Sequence, residues 1–496
     1  MNTLKKYSFV LAIAAVACSS GAGNGGPGTG GGGGFGNFGN TGGTGAQGAT
    51  TGSGGSGATG AQGGGSGSGA EGGTGPSCAP GMPSGFSASP TQLMLPAPRC
   101  GVSFDALGKA SGALEYNLAD LNGDGFVDLF VHQDDCDAAV GSTHWDLYSG
   151  SAAGLAQTPT SFGLPAARCG VSFDKPARSS GALEYGLLDL TGDHLVDLVV
   201  VQDDCDTTIG ATHWDVYPGS ASGFAAAPSS FALPAARCGV AWDDLTKASG
   251  ALEYLVMDLS GDGTVDLVVH QDDCDLTVGQ SHWDVYAGSA SGFAAAPASF
   301  GLPAARCGVS WEEPTRSSGA LEYTLMDVSG DGLSDLVVVQ DDCDASVGQT
   351  HWDAYAGSPT GFSVAPSAFS LPAPRCAVNW DDPAKLSGAV RYSLLDASCD
   401  GFLDLIVTRD DCDASVGQSR WDVYAGSATG IGGTPSPLTL PAARCATAFD
   451  APAKASGSVY FNTMAWNPTD HVSLLVTRDD CDTQIGASHW DYYVAQ

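Results

Sequence analysis

Between Asp120 and Asp137 the chain reads DLNGDGFVDLFVHQDDCD, two clusters of acids separated by an apolar run. In the first cluster Asp120, Asn122, Asp124 and Asp128 stand at positions 1, 3, 5 and 9, and Phe126 offers a carbonyl at position 7. Alternating carboxylates, amides and carbonyls on a loop curled by glycine form the oxygen set that calcium takes. The same frame returns as Asp189, Thr191, Asp193 and Asp197; as Asp258, Ser260, Asp262 and Asp266; as Asp327, Ser329, Asp331 and Asp335; and as Asp396, Ser398, Asp400 and Asp404. About five structural Ca2+ sites are therefore expected, because such carboxylates repel one another unless neutralised. Strands flank the loop and no bidentate Glu follows at position 12, so it is not an EF-hand. Two loops depart from the frame: His194 replaces the glycine at position 6, and Cys399 the glycine at position 4. A sixth copy offers Ala465, Asn467, Thr469 and Ser473, without a carboxylate, and is expected to bind no ion.

These loops belong to a larger repeat. Cys100, Cys169, Cys238, Cys307, Cys376 and Cys445 recur every 69 residues, and Cys136, Cys205, Cys274, Cys343, Cys412 and Cys481 follow them at the same step. Six units result, 83–151, 152–220, 221–289, 290–358, 359–427 and 428–496, within a repeat region 77–496. Each reads as four short strands separated by Gly, Pro, Ser and Asp, with no helical period. The fold class expected is all-β, a six-bladed β-propeller with four-stranded blades. The region opens on a fourth-strand sequence and closes on a third-strand one, so the N-terminal strand is expected to complete the last blade. A linear β-solenoid is the alternative.

The segments DLNGDGFVDLFV and DLSGDGTVDLVV, followed by WDVYAGSASGF, resemble FG-GAP or VCBS repeats of the integrin-alpha type. That resemblance implies a propeller with calcium between the first and second strands of a blade. It also implies extracellular adhesion or ligand recognition.

In such a blade the connection entering strand 1 and the loop from strand 2 to strand 3 share the face opposite the calcium loops. LPAARCGV is the first and QDDCD the second, so Cys169 and Cys205 can meet within one blade. Pairing between neighbouring blades, Cys136 with Cys169, is the rival; it would leave Cys100 and Cys481 to lock the ring. Cys78 and Cys399 remain for each other. Arg99, Arg168, Arg237, Arg306, Arg375 and Arg444 each precede the first cysteine and are expected to pair with the DDCD carboxylates. On the same face Trp242 with Asp243, Trp311 with Glu312, and Trp380 with Asp381 are the candidate ligand residues, an aromatic surface beside hydroxyl acceptors as a sugar site uses. The competing reading is that these rings plug gaps between blades. The HWD tryptophans, Trp145, Trp214, Trp283, Trp352, Trp421 and Trp490, read as inter-blade core, and the histidines before them as polar packing.

Lys5 and Lys6, an apolar run and AVACSS resemble a bacterial lipoprotein signal, 1–17, which implies lipidation at Cys18 and anchoring at the outer membrane or cell surface. An ordinary secretory signal is the alternative, and either implies export, where cysteines pair. Residues 18–76 are Gly- and Ser-rich and cannot bury a core. They form a tether with a reach of roughly 40 to 45 Å. With 54 acidic and 19 basic residues, net charge −35, the chain is not expected to bind nucleic acid or an anionic membrane surface; its only membrane contact is the lipid. No nucleophile elbow, phosphate loop or zinc signature occurs, so no enzyme is expected. The expectation is a monomeric, non-catalytic surface propeller that mediates adhesion or binds an extracellular protein ligand. The alternatives are a multivalent lectin with a glycan ligand and a structural envelope protein.

Overall fold

The computed structural model describes residues 80–466 and 469–496, so the signal, the tether, Cys18, Cys78 and Asn467 lie outside the described residues. The expected fold is observed: six antiparallel sheets, one per blade, form a propeller. The first complete blade comprises β2 (Leu114–Ala119), β3 (Asp128–Asp134), β4 (His144–Tyr148) and β5 (Thr160–Gly163), hydrogen-bonded in that order. The apolar pattern of each strand shows why. The middle strand β3 is buried at six of its seven residues, as a two-sided strand should be, while β5 buries only Phe162 fully. Along β2 the pairing shifts register between Glu115 and Tyr116, and the same bulge recurs at Glu184/Tyr185, Glu253/Tyr254 and Glu322/Tyr323.

In the last blade Val459–Met464, Ser473–Asp479 and His489–Tyr493 are completed by β1 (Thr91–Met94), which pairs antiparallel with His489–Tyr493. The N-terminal segment goes further and also fastens blade five. The amide of Phe86 donates to the Thr439 carbonyl at 2.8 Å, and Phe86 packs edge-on against Trp421. Comparable hooks run round the ring. Phe224 donates to Gly163 and Phe293 to Ala232, both at 2.9 Å, so each fourth strand has its free edge shortened by the following blade. At Gly223, φ is +142° and an added Cβ would lie 2.4 Å from the Gly163 nitrogen, which explains glycine in the SGF turn.

The core is shared between blades. One cluster joins Phe130, Trp145 and Phe162 of blade one to Leu183, Tyr185 and Leu198 of blade two. The HWD tryptophans are its centrepieces, as expected. Trp145 Nε1 donates to the Phe173 carbonyl at 2.9 Å, and Trp490 Nε1 closes the circuit on Phe104 at 2.7 Å. A blade thus cannot bury its apolar face alone.

Candidate functional site

The acidic loops lie at one end of the blades, between the first and second strands. In loop one the Asp120 carboxylate accepts from the amides of Gly123 and Gly125, both at 2.8 Å. Asp128 is fully buried and accepts from Leu121 at 3.1 Å and, across the blade, from Gly150 at 2.8 Å. Burial, with Asp120 and Asp124 adding to it, pushes Asp128 up to about 7; burial likewise takes Asp197 and Asp396 to about 6. Two side chains at position 3 are left wanting: Thr191 Oγ1 and Ser260 Oγ are buried without a hydrogen-bond partner. An oxygen set with crowded carboxylates and orphaned hydroxyls fits a hard cation.

The departing loops keep the shape. His194 holds φ +72° and Cys399 φ +58°, the left-handed conformation that glycine supplies elsewhere. The loops also interlock. A Cβ at Gly123 would lie 2.4 Å from Leu195 of the next loop, and one at Gly330 would lie 2.6 Å from Phe402. Cys399 replaces that glycine where the next blade offers His471, its Sγ 3.3 Å from Nδ1, and Cys399 is itself disulfide-bonded. In the sixth loop Ser473 stands where the others have the buried aspartate, and it takes the amide of Ala495 at 3.2 Å. Tyr492 joins the loop through its hydroxyl, donating to Asp470 at 2.8 Å and accepting from the amide of Trp466 at 3.0 Å.

At the other end of each blade stand six disulfides within blades, Cys100–Cys136, Cys169–Cys205, Cys238–Cys274, Cys307–Cys343, Cys376–Cys412 and Cys445–Cys481. The rival pairing between blades does not form. Each preceding arginine reaches the first aspartate of DDCD, as expected: Arg237 lies 2.6 Å from Asp272, and Arg444 2.7 Å from Asp479. Sequence reasoning missed the second partner, the aspartate of HWD. Arg237 pairs with Asp284 at 2.5 Å, and Arg99 pairs with Asp146. His144 Nε2 sits 3.3 Å from the other oxygen of Asp146, and Arg420 takes that place in blade five at 2.8 Å from Asp422. The histidine row is thus polar packing.

The expected aromatic surface is not there. Trp242, Trp311 and Trp380 are fully buried; Trp242 stacks edge-on with Tyr254 at 4.9 Å, and its Nε1 donates to the Pro234 carbonyl at 2.9 Å. These rings fill gaps between blades, as the competing reading held, each packed in a core shared with the preceding blade. Their acidic neighbours stay partly accessible. Asp243, Glu312 and Asp381 lie at the junctions between blades, each near a glutamate from the bulged first strand of the preceding blade. Burial, then Asp244, Asp243 and Asp204, pushes Glu184 up to about 7; burial, then Asp382, Asp381 and Asp342, does the same to Glu322.

The fold and these repeated sites define the class, a six-bladed β-propeller with one disulfide per blade. Such disulfides belong to an oxidising, extracellular setting. No protein-family model matches the chain and no curated protein matches it. The FG-GAP resemblance therefore rests on the quoted segments alone. Among solved structures the chain is similar to a lectin from Agrocybe aegerita described by its specific recognition of non-reducing terminal N-acetylglucosamine, with 12% identity over 75% of this chain and 77% of that one and a TM-score of 0.39. It is also similar to TcdB2-TccC3, with 16% identity over 82% of this chain but only 16% of that one and a TM-score of 0.32. A third likeness, to an exo-beta-1,3-galactanase from Phanerochaete chrysosporium, has 12% identity over 70% and 79% of the two chains and a TM-score of 0.22. Likeness at this level concerns the fold alone.

Proposed function

We propose that the protein is an exported, non-catalytic propeller that binds carbohydrate at several equivalent places and is stiffened by calcium. The observation that carries this reading is the recurrence of half-buried acids at the blade junctions of the disulfide face, where Glu115, Glu184, Glu253 and Glu322 each lie near acids of the following blade. Half-buried carboxylates accept hydrogen bonds from sugar hydroxyls, and weak sites on one rigid ring gain strength together. The six Arg–Asp–disulfide staples hold that face still, so little ordering entropy opposes binding.

Calcium belongs to the opposite end in this reading. The residues that would hold it are the loop carboxylates with Asn122, Thr191, Ser260, Ser329 and Ser398, and its chemistry would be charge neutralisation. Export followed by anchoring through a lipid at Cys18 completes the proposal. A glycan array probed with the whole mature protein, in calcium and in chelator, tests it. Binding to a related set of sugars is expected; a blank array from folded protein would contradict it.

A further inference from the structure

In blade five two arginines face each other across the sheet. Arg391, in Val390–Leu395, and Arg409, in Asp404–Asp410, are register partners. Blades one to four put a glutamate and a glutamine at the same two places, Glu115 with Gln133, Glu184 with Gln202, Glu253 with Gln271 and Glu322 with Gln340. Like charges directly opposite in an antiparallel pair oppose folding. Blade six avoids the conflict, because Tyr460 stands opposite Arg478 and the guanidinium lies 4.8 Å over the tyrosine ring.

The chain neutralises the blade-five pair only in part. Both arginines converge on one carboxylate oxygen of the next blade, with Arg391 Nη1 3.6 Å and Arg409 Nη1 3.8 Å from Asp450 Oδ2. Neither separation is a hydrogen bond. Lys454 draws on the other oxygen of Asp450, at 3.9 Å. Arg409 Nε is engaged, on Asp411 at 2.9 Å. The Arg391 guanidinium makes no hydrogen bond among the described residues, and its Nε is enclosed without a partner. Three cations thus meet two carboxylates at this junction, and the two arginine side chains are 25% and 36% exposed, within reach of a ligand.

We infer that the junction between blades five and six receives a carboxylate of the ligand, held between Arg391 and Arg409. Two planar guanidinium groups that converge on one point present paired N–H groups, which match the two oxygens of a carboxylate. A bound carboxylate also relieves the repulsion across the sheet. Screening confines the pull of other charges to about 8 Å at physiological ionic strength, so the net charge of −35 does not bar an anion from this spot. The inference rests on the carbohydrate reading for the source of the carboxylate, a uronic acid.

The test compares galacturonic acid trimer with the same trimer carboxyl-reduced to galactose, by calorimetry on the whole mature protein. The variants are Arg391→Gln, Arg409→Gln, and Arg391→Glu with Arg409→Gln, the pair that blades one to four carry and fold with. Arg420→His, the residue of the other copies, is the control on the same blade, equal in charge change to the single variants. The acidic trimer is expected to bind about 10-fold or more tighter than the reduced one, to lose about 10-fold in each single variant, and to fall to the level of the reduced trimer in the double variant, with the control unchanged. Unfolding midpoints report that each variant is folded. Equal binding of the two trimers, or equal loss in Arg420→His, would overturn the carboxylate site and leave the carbohydrate reading standing. Triglutamate bound with the same variant pattern, and neither trimer bound, would uphold the carboxylate site and overturn the carbohydrate reading.

Discussion

His132 and His270 are almost wholly enclosed between blades, and burial holds both well below the usual imidazole range, at about 4. His132 lies between the Asn117 amide, 3.1 Å from Nε2, and the Asp174 carbonyl, 2.9 Å from Nδ1, with Asp174 and Lys175 as its charged neighbours; His270 meets the Glu312 carbonyl at 2.7 Å. Both are neutral when folded. The unfolded chain binds more protons between about pH 6.5 and 4, so each imidazole costs stability as pH falls through that window. Glu184 and Glu322, raised to about 7, slope the other way, so the informative quantity is a difference. Relative to wild type, His132→Gln with His270→Gln is expected to lose less stability between pH 6.5 and 4.5, by roughly 2 to 4 kcal/mol, in denaturant titrations. Parallel curves would contradict the assignment. At this scale the sequence was legible where spacing carried the chemistry, as in the loops. It left two readings open at Trp242, Trp311 and Trp380, because a connection has no period to say which way a ring turns, and the inter-blade one holds. Asp146 was overlooked despite a signal: an acid at the centre of a strand in all six copies, even where the calcium acids vanish and His gives way to Arg420.

The element that repeats most strictly is the staple of arginine, two aspartates and a disulfide. Each disulfide closes a separation of 36 residues, worth roughly 3 to 4 kcal/mol in the chain-entropy account. Asp272 and Asp284 are nearly enclosed, so removing their cation leaves charges buried and unpaired. Arg237→Ala is expected to cost about 3 kcal/mol or more, measured by chemical denaturation, whereas a change under about 0.5 kcal/mol would show a solvent-screened pair. Thiol titration of the folded, unreduced protein should find none of the twelve staple cysteines free. The strands themselves were readable from short apolar runs between turn residues, and placing the two connections on one face favoured pairing within blades over the rival pairing between them. The first-strand bulges were not readable, since β2 is buried on both faces and has no alternation for an extra residue to break.

For the whole molecule, repetition made both the architecture and its closure visible. The N-terminal strand in the last blade was foreseeable from where the repeat is cut. The second hook, Phe86 on blade five, is the SGF turn of the repeat itself, and it went unforeseen because a turn sequence does not say which neighbouring blade it grips. A ring with both ends locked should unfold as one unit. Calcium at five loops would bind only the folded ring, so chelation is expected to lower the melting temperature and Asp262→Ala to remove one ion of about five by equilibrium dialysis. At calcium a hundredfold above its dissociation constant each site adds about 2.7 kcal/mol. An unmoved melting temperature in chelator would remove calcium from the account. The central claim is that one face of a rigid ring binds sugar at several places together. Its most direct test compares, for the whole protein, the affinity for one saccharide presented singly with that for the same saccharide on a polymer. An apparent gain of about 10²-fold or more on the polymer is expected. Equal affinity for the two presentations would contradict it.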